Sequence, residues 1–175
     1  MSVGLSSSQR LYLGMVQQAL AAHPKWGYID PPWVMTIFGI ESGFQPLVWN
    51  GAGRQDGLGQ VIPSTAAAMA SLYGIPAGPQ TDPQVSTLST IAYMDVSARS
   101  IIKFRGTSTL PLWDLAQAYN DGFAAVEAGK LDPKYLVKFQ AKLPVIEAQM
   151  AGTAMLTNQA RFVPTWARVV MPLAA

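Results

Sequence analysis

The sequence predicts a mainly α single domain, and three observations carry that expectation. Helix punctuation recurs along the chain: Asp30-Pro31-Pro32, Pro63, Asp82-Pro83, Pro133 and Pro144 stand where helices open, and Gly43, Gly74 and Gly106 where they close. Alternating runs of β-branched residues, the signature of strands, are sparse. Half of the 175 residues are hydrophobic and only 13% are charged, a composition able to bury an ordinary domain core. No repeat and no long linker divides the chain. Residues 1–175 are therefore expected to form one domain, with its core at about 24–143. Helix 8–22 and a helical extension, 144–175, would pack on that core.

The elements follow in order. Residues 8–22 fit a first helix, with Leu11, Val16 and Leu20 among its apolar positions. This segment has no cationic stretch ahead of its apolar residues, and Gln17 and Gln18 interrupt it, so it reads as an amphipathic helix and not as a signal peptide. Asp30 is placed to cap a second helix that ends near Gly43. On it Trp33, Ile37 and Glu41 recur every four residues and share a face. Residues 45–61 form a Gly-rich loop with at most a small β-hairpin. Pro63 opens a small-residue helix over 64–73, and a Pro/Gly-rich connector leads to the Asp82-Pro83 cap. A long helix over about 86–104 ends at Gly106. Shorter helices are expected at 111–120, 123–128, 133–142 and 144–157, the last two opening at Pro133 and Pro144.

Composition removes several kinds of chemistry. There is no Cys, hence no disulfide, thiolate metal site or thiol nucleophile, and the single histidine, His23, leaves no partner for a histidine metal site or triad. His23 is read as a structural or surface residue. A net charge of +2 and a pI near 9.0 suit an anionic partner but are too weak to argue for nucleic acid. No apolar run approaches the roughly 20 residues of a membrane span. The expectation is a monomer with no metal, no cofactor and no transmembrane segment.

Glu41 is the residue with most chemical promise. It ends the almost uncharged run Pro31-Pro32-Trp33-Val34-Met35-Thr36-Ile37-Phe38-Gly39-Ile40 and precedes Ser42-Gly43-Phe44. Apolar surroundings disfavour the ionised carboxylate and raise its pKa, as a general acid for sugar-bond cleavage requires. The local pattern fits equally a glutamate at a helix end or on its wet face.

Three stretches stand together: Ile40-Glu41-Ser42-Gly43-Phe44, Gly57-Leu58-Gly59-Gln60-Val61-Ile62-Pro63-Ser64-Thr65-Ala66, and Ala118-Tyr119-Asn120-Asp121-Gly122. In this order and spacing they resemble the soluble lytic transglycosylases, relatives of goose-type lysozyme within the lysozyme-like superfamily. Asp82-Pro83 with Ile91-Ala92-Tyr93-Met94 looks like the segment those enzymes carry between the second and third motifs. The resemblance covers about residues 28–128.

It implies a lysozyme-like fold and a peptidoglycan substrate. Glu41 would be the catalytic acid/base, held by the Tyr119 hydroxyl. Gln60 would hydrogen-bond the glycan, Ile62 would line the groove, Asn120 would contact substrate or brace its loop, and Ser42 would lie beside the bound sugar. Gly57 and Gly59 would let backbone approach a sugar closely. Read without the resemblance, Tyr119 fits a core aromatic and Gln60 a surface loop residue. The chain departs from the family pattern at Asn50, where a substrate-contacting Ser is common and where Asn, able to donate and accept, is expected to bind substrate in its place, and at Asp121, where Ala is common. The loop from Asn50 to Gly57, with Arg54-Gln55-Asp56, is also about one residue longer.

The family mechanism needs one carboxylate. Glu41 would protonate the oxygen between MurNAc and GlcNAc and then deprotonate the C6 hydroxyl of MurNAc, closing a 1,6-anhydro ring without water or metal. A hydrolytic muramidase would need a second carboxylate to position water, from Asp56 or Asp121, although Asp56 also reads as a loop-capping residue. A third reading is a wall-binding or virion structural protein without turnover. Lys130, Lys134, Lys138 and Lys142 recur every four residues and read as a solvated face, or as a surface for anionic wall polymers or phospholipid headgroups. Residues 144–175 carry only Glu147, Arg161 and Arg168 as charges and read as packed across the core, with membrane contact as the alternative. The expected place of action is the bacterial cell wall or periplasm, for a bacteriolytic enzyme carried by a phage or released during phage lysis.

Overall fold

A computed structural model of the chain describes residues 4–50 and 55–156, and the predicted C-terminal segment beyond residue 156 lies outside them. The helices are α1 (Ser7–Ala22), α2 (Pro31–Glu41), α3 (Pro63–Tyr73), α4 (Pro83–Arg105), α5 (Leu112–Asp121), α6 (Phe123–Glu127) and α7 (Pro133–Leu156). A 3-10 turn, Pro24–Trp26, separates α1 from α2. The two-residue strands β1 (Trp49–Asn50) and β2 (Gln55–Asp56) pair antiparallel, with Trp49 opposite Asp56 and Asn50 opposite Gln55.

Helix α1 begins with a reciprocal cap: the Ser6 hydroxyl accepts from the Gln9 N–H, and the Gln9 side chain accepts from the Ser6 N–H. Its buried stripe is Tyr12, Val16 and Ala19, spaced four and three residues. Leu11, an apolar position of the same helix, falls off that stripe and is exposed.

The mostly buried helix α4 is the axis of the fold, packed by α1, α3, α5 and α6. The Asp82 carboxylate accepts from the Gln84 and Val85 N–H groups at its start, and Gly106 turns left-handed (φ +63°) at its end. Asp95 is buried on it and accepts from the Arg99 guanidinium (2.7 Å) and the Tyr73 hydroxyl (2.8 Å).

Helix α2 packs most extensively on α7, burying Val34, Met35, Ile37 and Phe38. Asp30 is its N-cap, but the Asp30 side chain makes no capping bond. Pro32 has removed the second N–H of the helix, and the Trp33 N–H already bonds the Asp30 carbonyl at 3.0 Å.

The predicted break between 142 and 144 is absent: α7 runs unbroken with Pro144 inside it. Proline there deprives the Gln140 carbonyl of its intrahelical donor, but both residues are exposed, so water can supply one. The buried positions Tyr135, Phe139, Ile146 and Met150 continue one apolar face through the proline and hold the helix together by packing. Among the described residues no helix is long and apolar enough to cross a membrane.

Candidate active site

Glu41 is the last residue of α2 and faces α7. The chain reverses immediately after it. The Phe38 carbonyl accepts from the N–H groups of Ser42 and Phe44, each at 3.2 Å, and from the Ser42 hydroxyl at 3.0 Å. Gly43 (φ +59°) and Phe44 (φ +65°) are both left-handed, which is demanding for the phenylalanine. Ser42 is thus a buried cap of the α2 terminus, with its hydroxyl occupied by backbone.

The hydroxyl of Tyr135, in the first turn of α7, donates to Glu41 Oε1 at 2.6 Å. Burial raises the Glu41 pKa, while the Tyr135 bond and the Lys138 ammonium oppose that rise without cancelling it. The position at a helix C-terminus further disfavours a negative charge. Glu41 in turn helps to raise the pKa of Tyr135, which burial already pushes up, so the phenol stays a proton donor.

The holding hydroxyl therefore belongs to Tyr135, where the family resemblance implied Tyr119. Tyr119 is buried, and its hydroxyl donates to the Gly59 carbonyl at 2.6 Å. It is still near enough for Glu41, after burial, to raise its pKa. Its ring tilts against Tyr93, with centroids 5.3 Å apart.

The loop between the hairpin and α3 is fastened from both sides. Gln60 is buried and left-handed (φ +52°), and its amide donates to the carbonyls of Val48 (3.0 Å) and Gly57 (2.9 Å). Both of its N–H groups therefore brace the hairpin. Gly57 and Gly59 make room for protein. A Cβ on Gly57 would lie 1.8 Å from the Gln80 carbonyl oxygen, and one on Gly59 would lie 2.0 Å from Thr90 Oγ1.

Gln60, Ile62, Tyr93, Tyr119, Asn120 and Asp121 line one open groove of about 270 Å³. The structure thus gathers Gln60, Ile62, Tyr119, Asn120 and Asp121, five of the residues singled out in the sequence. Ile62 is part-exposed there, and Asn120 donates to Asp132 Oδ2 at 3.3 Å. Ser42 is not among them, Glu41 stands at the α2–α7 seam, and Asn50 lies on β1. Asp56 lines a separate cavity with Pro63, Pro79 and Gln80. Asp121 accepts from the Gln117 amide.

Gln117 and Asp132, with Tyr135, join the site in the structure without having been singled out in the sequence. The fully buried Gln117 accepts from the Asp132 N–H at 2.7 Å, and Asp132 Oδ1 accepts from the N–H groups of Lys134 (2.9 Å) and Tyr135 (3.3 Å). This chain of bonds seats the first turn of α7, and with it the Tyr135 phenol. Asp132-Pro133 repeats the Asp82-Pro83 cap signature, and that was the one available sign.

A family model described as Transglycosylase SLT domain matches residues 19–136, a span that reaches just past Tyr135. No match is found among curated proteins. The fold is similar to that of lytic transglycosylase Slt from Pseudomonas aeruginosa, solved as an inactive glutamate-to-glutamine mutant. There the TM-score is 0.58 at 18% identity, covering 85% of this chain and 24% of that one. It is also similar to the 70 kDa soluble lytic transglycosylase of Escherichia coli, with TM-score 0.55 at 19% identity, covering 82% of this chain and 24% of that one. The chain spans about a quarter of the length of these two structures.

Proposed function

Since this chain belongs to the transglycosylase SLT domain family, we propose that it is a peptidoglycan lytic transglycosylase. It cleaves the β-1,4 bond between N-acetylmuramic acid and N-acetylglucosamine and closes a 1,6-anhydro ring on the muramic sugar. The observation that carries this reading is the state of Glu41, a carboxyl whose pKa burial raises and whose Oε1 is fixed by a neutral phenol at 2.6 Å. Neither aspartate that could bring in water is joined to it. Asp56 lines another cavity, and Asp121 is bonded to Gln117. The Pseudomonas aeruginosa relative is inactive as a glutamate-to-glutamine mutant, which supports an essential glutamate in this fold.

With Oε1 anchored, Oε2 is left to exchange the proton. Protonated Glu41 donates to the bridging oxygen as the C1–O bond breaks, and the bonding pair leaves with that oxygen. The acetamido oxygen of the same sugar closes on C1 and takes up the positive charge. Glu41, now a carboxylate, accepts the C6 hydroxyl proton while O6 attacks C1 and expels the acetamido oxygen. The proton returns to Glu41 and no water is consumed.

Mass spectrometry of peptidoglycan digested by the protein tests this. Anhydro-muropeptides are expected. Reducing muramic ends would mean hydrolysis, and no released fragments would mean a binding protein. Under the lytic reaction Asp56→Asn and Asp121→Asn keep the same products and nearly the same rate; under hydrolysis one of them abolishes turnover.

A further inference from the structure

The seam between α2 and α7 carries cations beside its acid. Lys138 follows Tyr135 by three residues and so shares its side of α7, and its ammonium acts on the Glu41 carboxyl. One turn further, the stem of Lys142 lies over Gly39: a Cβ there would come 2.6 Å from Lys142 Cε. The missing side chain at Gly39 gives the lysine stem room against the last turn of α2.

Among the described residues neither cation forms an ion pair with a carboxylate. All 10 acidic residues of the chain fall within the described residues, and the ion pairs there are Arg99–Asp95 and Arg105–Asp114. Lys138 is exposed. An unpaired ammonium beside an acid that has to carry a proton works against that acid, because it favours the carboxylate. The arrangement becomes coherent when the ligand brings the missing negative charge. A carboxylate on the ligand would neutralise the ammonium through a charge-assisted hydrogen bond and leave Glu41 in an apolar setting.

Resting on the reading of Glu41 as the acid that cleaves a muramic glycan, we propose that Lys138, flanked by Lys142, is a specificity-determining residue that holds a carboxylate carried by the muramic side of the bound strand. Two sources offer that chemistry: the lactyl carboxylate of a strand stripped of peptide, and the carboxylates of an attached peptide stem.

Binding measured by calorimetry in a Glu41→Gln background, where no turnover interferes, tests the proposal. The probes are a peptide-bearing muramic oligomer, the same oligomer stripped to its lactyl acids, and a neutral chitin tetramer. Lys138→Met should weaken at least one acidic probe about tenfold at low salt, the loss of one charge-assisted contact. Lys138→Arg should restore it, and chitin should bind all three proteins alike. The probe that weakens names the source of the carboxylate. An equal loss for all three probes, a loss confined to chitin, or no loss at all overturns the proposal. Failure of the Glu41→Gln protein to bind any probe removes the glycan reading itself, and with it this inference. Product analysis of the wild-type protein separates that case from a failure of Lys138 alone.

Discussion

The Tyr135 hydroxyl donates to Glu41 Oε1 at 2.6 Å across 94 positions of sequence, joining the first turn of α7 to the last residue of α2. The bond has two effects: it fixes one carboxylate oxygen, and it favours the ionised form against the burial that disfavours it. Tyr135→Phe removes both. The turnover number should fall about 10- to 100-fold, as expected for a loosened catalytic group. With the favouring bond gone the Glu41 pKa rises further, so the alkaline limb of kcat/KM moves to higher pH. A pH–rate profile of the variant checks both, and a limb displaced to lower pH would contradict the assignment.

Glu41 should also set a pH dependence of stability. Its folded-state pKa lies above the unfolded value of 4.5, so its contribution is fully present below that pH and is lost as pH rises through the folded pKa. Glu41→Gln keeps an acceptor for Tyr135 and removes the ionisation. The variant should be inactive, match the wild type near pH 4, and melt at a higher temperature at pH 7. Calorimetric Tm values at the two pH values decide it, and a lower Tm at pH 7 contradicts burial as the dominant effect.

Gly59 lies against α4 and α5 with no space for a methyl group. It is outside the positive-φ set, so Gly59→Ala reports contact and not backbone strain. Overpacking there should cost about 1–3 kcal/mol. Thr90 Oγ1 is the atom nearest that methyl, so Thr90→Ala should recover part of the loss in the double variant. Urea denaturation of the four proteins measures the coupling. Additive losses would place the obstruction elsewhere.

Gln117→Leu breaks the link between α5 and the start of α7. Leaving the Asp132 N–H without its acceptor should cost about 1–3 kcal/mol. Because the same turn seats Tyr135, turnover should fall as well. Its effect should be far less than additive with that of Tyr135→Phe, which kinetic measurement on the double variant tests.

The helix starts were legible because each rests on neighbours in sequence. Asp82 and Asp132 accept from N–H groups two and three residues on, and Pro83 and Pro133 preset the backbone. The burial around Glu41 was legible for a similar reason, since the ten residues before it are almost all apolar. Partners of polar side chains were not legible. The amides and hydroxyls of Gln60, Ser42 and Tyr119 suit a sugar as well as a carbonyl, and folding gave each of them a backbone carbonyl. Nothing near Tyr135 in sequence points to Glu41. Pro144 misled because its helix is held by an apolar face that continues past it, a tertiary effect stronger than the local rule.

At its far end α7 meets the other end of the described chain: the Leu5 N–H donates to Thr153 Oγ1 at 2.9 Å. The helix is therefore a beam pinned near both ends, at Asp132 by Gln117 and at Thr153 by the segment just before α1. Glu41 rests against its near end, so the tilt of this beam sets where the phenol meets the acid. Leu5, 36 positions before Glu41, thereby takes part in aligning the Tyr135 phenol with the Glu41 carboxyl.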